Sequence, residues 1–148
     1  MRIGFTGTSE PQQNAQLEAL TTELLRLHDA GLLDEFHHGD CINADENADC
    51  IVLFRTTARV VAHPPINAIA RAFCSGVKGR FERREPKPYL ERNRDIVDET
   101  DELIACPRAK LEQQRSGTWA TIRYARKMGK PITIIFPDGR IKRELPNR

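Results

Sequence analysis

Arg115-Ser116-Gly117-Thr118-Trp119-Ala120-Thr121-Ile122-Arg123-Tyr124-Ala125-Arg126, followed after Gly129 and Pro131 by Ile132-Thr133-Ile134-Ile135-Phe136, runs turn, helix and strand in direct succession. Trp119, Ile122 and Ala125 recur at helical spacing, Gly129 suits the left-handed residue after a helix, and Pro131 forbids its continuation. The strand is almost wholly apolar, as a strand covered on both faces must be. A helix entering such a strand is the repeating unit of an open parallel sheet. The helix start also carries chemistry. Its first N–H groups lack intrahelical acceptors and sit at the positive end of the helix dipole. Ser116 and Thr118 add hydroxyls, and Gly117 lets a ligand approach the backbone, which together suit a phosphate or carboxylate. Ser116 as an ordinary helix cap explains the same residues without a ligand.

Working back from this segment, the same alternation recurs. Arg2–Phe5 reads as a strand and Thr6-Gly7-Thr8-Ser9 as a turn. A helix with Leu17, Leu20, Leu24 and Leu27 on one face stops at Gly31, and Leu32–His38 follows as a second strand. Ala44, Ala48, Ile51, Phe54 and Ala58 favour a helix over the β-prone run Cys50–Phe54. Arg59–His63 is a third strand closed by Pro64-Pro65, and Asn67–Phe73 reads as a short helix. Ser75–Pro86 reads as a charged loop, Pro88–Thr100 as a helix and Leu103–Cys106 as a fourth strand. These features predict a Rossmann-like α/β fold, an open and mostly parallel sheet of about five strands with helices on both faces. One domain is expected over residues 1–139, with 140–148 as a polar tail.

In such sheets ligands bind beyond the carboxyl ends of the strands. The small, hydroxylated and acidic residues gather there: Gly7 and Thr8, Gly39 and Asp40, His63 and Pro64, and Ser116 to Trp119. Each has a structural alternative. Gly7 and Gly39 suit tight turns, Asp40 suits a ribose hydroxyl or a helix cap, and the His63 ring suits a base or the core. His37 and His38 are adjacent on a strand, point to opposite faces and cannot chelate one metal together.

Other function classes recede on composition. The 148 residues carry a formal net charge of +2, too little to argue for nucleic acid, and 6% aromatic residues give few stacking platforms. Cys41, Cys50, Cys74 and Cys106 form no C-x-x-C pair, and no metal or cofactor is called for. Neither a signal peptide nor an apolar run of membrane-spanning length is evident, so a cytoplasmic, reducing setting is expected.

Leu90-Glu91-Arg92-Asn93-Arg94-Asp95-Ile96-Val97, Asp101–Pro107 and Arg115–Arg126, with Arg2–Thr8 and His38-Gly39-Asp40-Cys41, resemble the small stand-alone branch of the SLOG superfamily. That group includes the Lonely Guy proteins and the DNA-processing protein A recombination mediators. The resemblance implies a nucleotide or nucleotide derivative with its phosphates on Ser116-Gly117-Thr118, near Arg92 and Asn93. It also implies a homo-oligomer. In the Lonely Guy branch a glycine-rich signature ends in a catalytic Glu that helps split nucleoside 5′-monophosphates at the N-glycosidic bond. Here Gln113-Gln114-Arg115-Ser116 replaces the glycine-rich opening, and Thr121 occupies the place of the Glu. A threonine hydroxyl neither supports an oxocarbenium-like centre nor activates water as a carboxylate does. Glu112 precedes the turn out of register. The expectation is therefore binding without turnover by a sensor or sequestering protein, the alternative being a phosphoribohydrolase.

Overall fold

A computed structural model describes residues 1–146. In it β1 (Arg2–Gly7), α1 (Asn14–Asp29), β2 (Glu35–His38), α2 (Ala44–Arg55) and β3 (Arg59–Ala62) alternate as the apolar periodicity requires. After β3 come β4 (Phe81–Arg83), α3 (Tyr89–Asp98), β5 (Glu102–Cys106), α4 (Gly117–Lys127), β6 (Ile132–Ile135) and β7 (Ile141–Glu144). The sheet has seven strands in the order β4-β3-β2-β1-β5-β6-β7, parallel throughout except for β7 against β6.

The core lies in two layers. Ile3, Phe5, Phe36, Val60, Ile104 and Ile135 pack under Leu20, Leu24 and Leu27 of α1 and Ala44, Ala48 and Val52 of α2. On the other face Leu103, Ala105, Ile132 and Ile134 meet Val97, Trp119, Ile122 and Ala125 of α3 and α4. Burying a side chain of this size stabilises the fold by roughly 1.5–3 kcal/mol. The alternation of β5 residues between the two layers, Leu103 and Ala105 on one side and Ile104 and Cys106 on the other, is the period-2 geometry of a strand.

Three parts of the chain depart from expectation. The sheet gains two strands, both at its edges. β4 lies inside the segment read as a loop, where Phe81, Glu82 and Arg83 pair with Val60, Val61 and Ala62. Three residues, two of them charged, are too few to show a strand period, and charge is common on edge strands. Asn67–Phe73 is not a helix. Its backbone serves the loop after β2 instead: Ile42 N donates to Ala70 O, and Ala72 N donates to Asp40 O.

The third departure is the expected tail, since β7 extends the sheet beyond residue 139 through Gly139, whose φ of 87° suits only the turn it makes. Residues 147–148 of that stretch lie outside the described residues. Arg143 on β7 makes two hydrogen bonds of 2.9 Å to Glu23 of α1, which Arg26 also holds at 2.7 Å. Burial pushes the Glu23 carboxyl up, but the bonds from Arg143 and Arg26 outweigh it and hold the pKa at about 2. Glu23→Ala removes the shared acceptor of two half-exposed arginines and is expected to cost about 1–2 kcal/mol in urea unfolding. Deleting residues 140–148 should cost at least as much, whereas a detached tail would cost nothing.

Candidate functional site

In the sheet order, β2 lies on one side of β1 and β5 on the other, so the chain reverses direction across the sheet at β1. Loops leaving β1 and β5 part there and open a crevice at the carboxyl ends of the strands. A cleft of about 560 Å³ occupies this place. Its walls are the turn after β1, Gly39 and Cys41 after β2, Asp45 of α2, the first turns of α3, and the β5–α4 loop with the start of α4. The turn after β1 is fixed by Thr8 N donating to Cys106 O at 3.0 Å and Ala44 N donating to Thr8 O at 3.2 Å.

Of the residues singled out in the sequence, Gly7, Thr8, Gly39, Arg92, Asn93, Ser116, Gly117 and Thr118 line the cleft. Their reasons differ. A Cβ on Gly7 would lie 2.5 Å from the Cβ of Ala44, so this glycine lets β1 pack against α2. A Cβ on Gly39 would fall 2.7 Å from the Arg92 guanidinium carbon and 2.9 Å from Asp45 Oδ2. Ser116 is the cap that its type suggests, its Oγ accepting from Trp119 N at 3.2 Å. Gly117 has open space where a side chain would be. Packing does not require glycine at that position.

Arg92 is buried, and its guanidinium joins strand ends. Nη1 donates to Gly39 O and, at 2.9 Å, to His63 O; Nη2 reaches Cys41 Sγ at 3.3 Å; and Nε donates to Asn93 Oδ1 at 2.6 Å. Burial pushes the Cys41 thiol up, away from the thiolate form, against the pull of Arg92.

Asp40, His63, Pro64 and Trp119 do not line the cleft. Asp40 turns away beneath the 67–77 segment, where Arg71 Nε and Cys74 N donate to it at 2.9 and 2.8 Å. Pro64 is buried. Trp119 belongs to the layer between the sheet and α4. His63 meets His37 ring to ring, with Nε2 2.8 Å from His37 Nδ1, while His37 Nε2 lies 2.6 Å from Glu35. Both imidazoles are held neutral. Burial pushes His37 down against the pull of Glu35, and burial with the positive charges around it takes His63 to about 3.

The second histidine faces the other way and is also structural. His38 Nδ1 accepts from Asp40 N at 3.0 Å, which puts the ring proton on Nε2, where Asp49 receives it at 2.8 Å. Cys74 lies close enough to complete a three-ligand set with His38 and Asp49. The backbone donor at Nδ1 fixes the tautomer that cannot ligate a metal through Nε2.

Thr121 is buried and donates to Gly117 O at 2.8 Å, so its hydroxyl serves the helix and not the cleft. Glu112 is held outside the cleft by Arg123 and Arg126 at 3.1 and 2.8 Å. The cleft does have carboxylates: exposed Glu10 after β1 and buried Asp45 in the first turn of α2. Sequence reading missed Asp45 because acidic residues are ordinary in a helix's first turn. It also missed Arg108, which joins Arg115 on the opposite wall.

No helix among the described residues is long and apolar enough to cross a membrane. No protein-family model matches the chain, and no curated protein matches it in sequence. Among solved structures, the X-ray structure of TM1055, a structural genomics target, is similar with a TM-score of 0.62 and 17% identity, over 88% of this chain and 71% of that one. The molybdenum cofactor binding protein from the phototrophic bacterium Rippkaea orientalis is similar with a TM-score of 0.68 and 18% identity, over 91% of this chain and 76% of that one. At such identities the likeness extends to the architecture, and the chain is a Rossmann-like α/β protein with its cleft at the switch point of a mostly parallel sheet.

Proposed function

We propose that this chain is a SLOG-type protein that binds a nucleotide or nucleotide-derived molecule without turning it over, as a sensor or sequestering protein. The observation that carries this reading is the start of α4: Gly117 and Thr118 line the cleft with Arg108 and Arg115, and nothing fills the space beside Gly117. Unpaired helix N–H groups, a hydroxyl and two guanidinium groups are phosphate chemistry. The residue pattern resembling the SLOG superfamily supports the nucleotide. A structural neighbour that is a molybdenum cofactor binding protein is consistent with a small-molecule ligand on this fold.

A thermal-shift series with mono-, di- and cyclic nucleotides and ADP-ribose tests it. A ligand at a hundred times its Kd stabilises the fold by roughly 2.7 kcal/mol, a rise in Tm of about 5–10 °C for a chain of this size. No shift with any of these compounds counts against the proposal. Gly117→Ala sharpens the test. The methyl group meets no protein atom and favours the helix, so stability should hold or rise by up to about 1 kcal/mol. Nucleotide binding should nonetheless weaken, because the methyl group stands where the phosphate approaches.

The runner-up, a phosphoribohydrolase, draws on Asp45 and Arg92, which bring a carboxyl and a guanidinium to the cleft away from the Thr121 position. Incubation with AMP and chromatography for free adenine separates the two readings. Release above the uncatalysed rate favours the enzyme.

A further inference from the structure

Outside the cleft, Glu35, His37, His63 and Glu99 stand in a row. His37 pairs with Gly4 across the strands, and a Cβ on Gly4 would meet Ile96 and Thr100, so His37 lies on the sheet face that α3 covers. Its partner is not the adjacent His38 but His63, beyond the end of β3. Three gaps join the row: Glu35 Oε1 to His37 Nε2 is 2.6 Å, His37 Nδ1 to His63 Nε2 is 2.8 Å, and His63 Nδ1 to Glu99 Oε2 is 3.9 Å.

Above its ordinary pKa of about 6.5 a histidine carries one ring proton, and a carboxylate carries none. Two protons therefore serve three gaps. Glu35 accepts only, so the proton of His37 sits on Nε2. His37 Nδ1 is then a lone pair, which takes the proton on His63 Nε2. His63 Nδ1 is left with its lone pair towards a carboxylate oxygen. The row is one cation short.

We propose that His63 Nδ1 and Glu99 Oε2 bind a divalent transition-metal ion of the zinc type, with His37 and Glu35 fixing the His63 ring from behind.

The width of the third gap chooses a metal. Bonds of about 2.1 Å to nitrogen and 2.0 Å to oxygen hold the two ligand atoms about 3.3 Å apart at a tetrahedral angle and about 4.1 Å apart in line. The observed 3.9 Å falls inside that range. A water donating to both atoms at about 2.8 Å would hold them about 4.4 Å apart. Ligand atoms of His37, His63 and Glu99 all lie within 4.8 Å of one another.

The surroundings suit the same ion. Imidazole nitrogen with carboxylate oxygen is a zinc donor set, and a ligating histidine usually donates its other N–H to an acceptor that fixes its tautomer. His37 is that acceptor, and Glu35 fixes His37 in turn. Arg84 is the positive charge that the ion must tolerate. It occupies Glu99 Oε1 at 2.6 Å, which leaves Oε2 for the ion, and it also pairs with Glu82 at 3.0 Å. The two imidazoles are buried, whereas 35% of the Glu99 side chain is exposed, so the ion has a way in and water completes its shell. Glu99 is the C-cap of α3, and the ion would tie that helix to the end of β3. No local spacing shows this set, because its members come from β2, the segment after β3 and the end of α3.

Isothermal titration with zinc chloride at pH 7.5 tests the proposal. The chain is freed of metal with a chelator and carries Cys50→Ser, so that an exposed thiol cannot answer for the imidazole. It should bind one ion, and Glu99→Gln or His63→Gln in that chain should each weaken binding at least about tenfold. Zinc should also raise the Tm of the Cys50→Ser chain and leave that of the Glu99→Gln variant unchanged. Nitrogen NMR of the histidine rings names the ligand: zinc should move the resonances of His63 and not those of His28 on the surface. Glu99 is partly exposed, so Glu99→Gln keeps the question open to test even if His63→Gln folds poorly.

No zinc binding, binding that Glu99→Gln leaves unchanged, or a ring response at His28 in place of His63 overturns the proposal. None of these results bears on the nucleotide reading, since Glu35, His37, His63 and Glu99 do not line the cleft.

Discussion

Arg92→Ala is expected to cost about 3–5 kcal/mol, because it removes one side chain on which three separate segments depend. Gly39 O at the end of β2 and His63 O beyond β3 would each lose a charged donor, and Cys41 and Asn93 would lose their contacts. Asp45, already raised by burial, would lose a neighbouring positive charge that favours its ionised form. For a chain of this length the change corresponds to a fall in Tm of roughly 10 °C. Lysine is a poor substitute, since one ammonium cannot span the carbonyls that the planar guanidinium joins. Asn93→Ala removes only the Nε acceptor and should cost about 1 kcal/mol or less. A small effect of Arg92→Ala in urea unfolding would show that Arg92 is a replaceable ligand contact and not a clamp. The consequence for function tests is practical: lost binding in Arg92→Ala cannot be assigned to the ligand until the variant is shown to be folded.

The same residue shows what a sequence can and cannot convey. Arg92 stood out through the resemblance carried by Leu90–Val97, and its place on the cleft wall fits a helix start beside the crevice. Its tertiary partners are carbonyls at the ends of distant strands, and nothing local in Leu90–Val97 announces them. Leu17, Leu20, Leu24 and Leu27 showed their helix because burial on one face imposes a period. Ile132–Phe136 showed its strand because both faces are covered. β4 and β7 are short, charged edge strands, and their pairing partners lie elsewhere in the chain. Among the site candidates, the strand ends were legible and the direction of each side chain was not. Asp40 and His63 leave their strands pointing into the protein, and Asp45 enters the cleft from a helix start where an acid has an ordinary explanation.

Acidification should destabilise the protein from about pH 6.5 downward, before the carboxylates respond, because His37 and His63 are buried as neutral rings. His63 keeps its proton off in the folded state until about pH 3, whereas the unfolded chain takes one up near 6.5. Between those values the unfolded state binds more protons, so stability rises with pH and is lost as pH falls, by up to about 1.4 kcal/mol per pH unit for each such histidine. Above 6.5 the contribution is fully present and flat. Glu23 adds to the loss only below about 4.5, its ordinary value, because Arg143 and Arg26 hold its folded pKa at about 2. Asp45 works in the opposite sense: its raised pKa lets the folded state bind the extra proton, so its share of stability declines as pH rises through that pKa. The difference between the parent chain and His63→Gln isolates the histidine. Glutamine cannot take up a proton, so the parent's stability relative to the variant should fall steadily from pH 6.5 to 4.5 in urea unfolding. Equal pH dependence of the two would mean that the His37–His63 pair accepts a proton in the folded state. Glu35 and Glu99, which flank the pair at 2.6 and 3.9 Å, would then hold it as an imidazolium and remove the acid sensitivity.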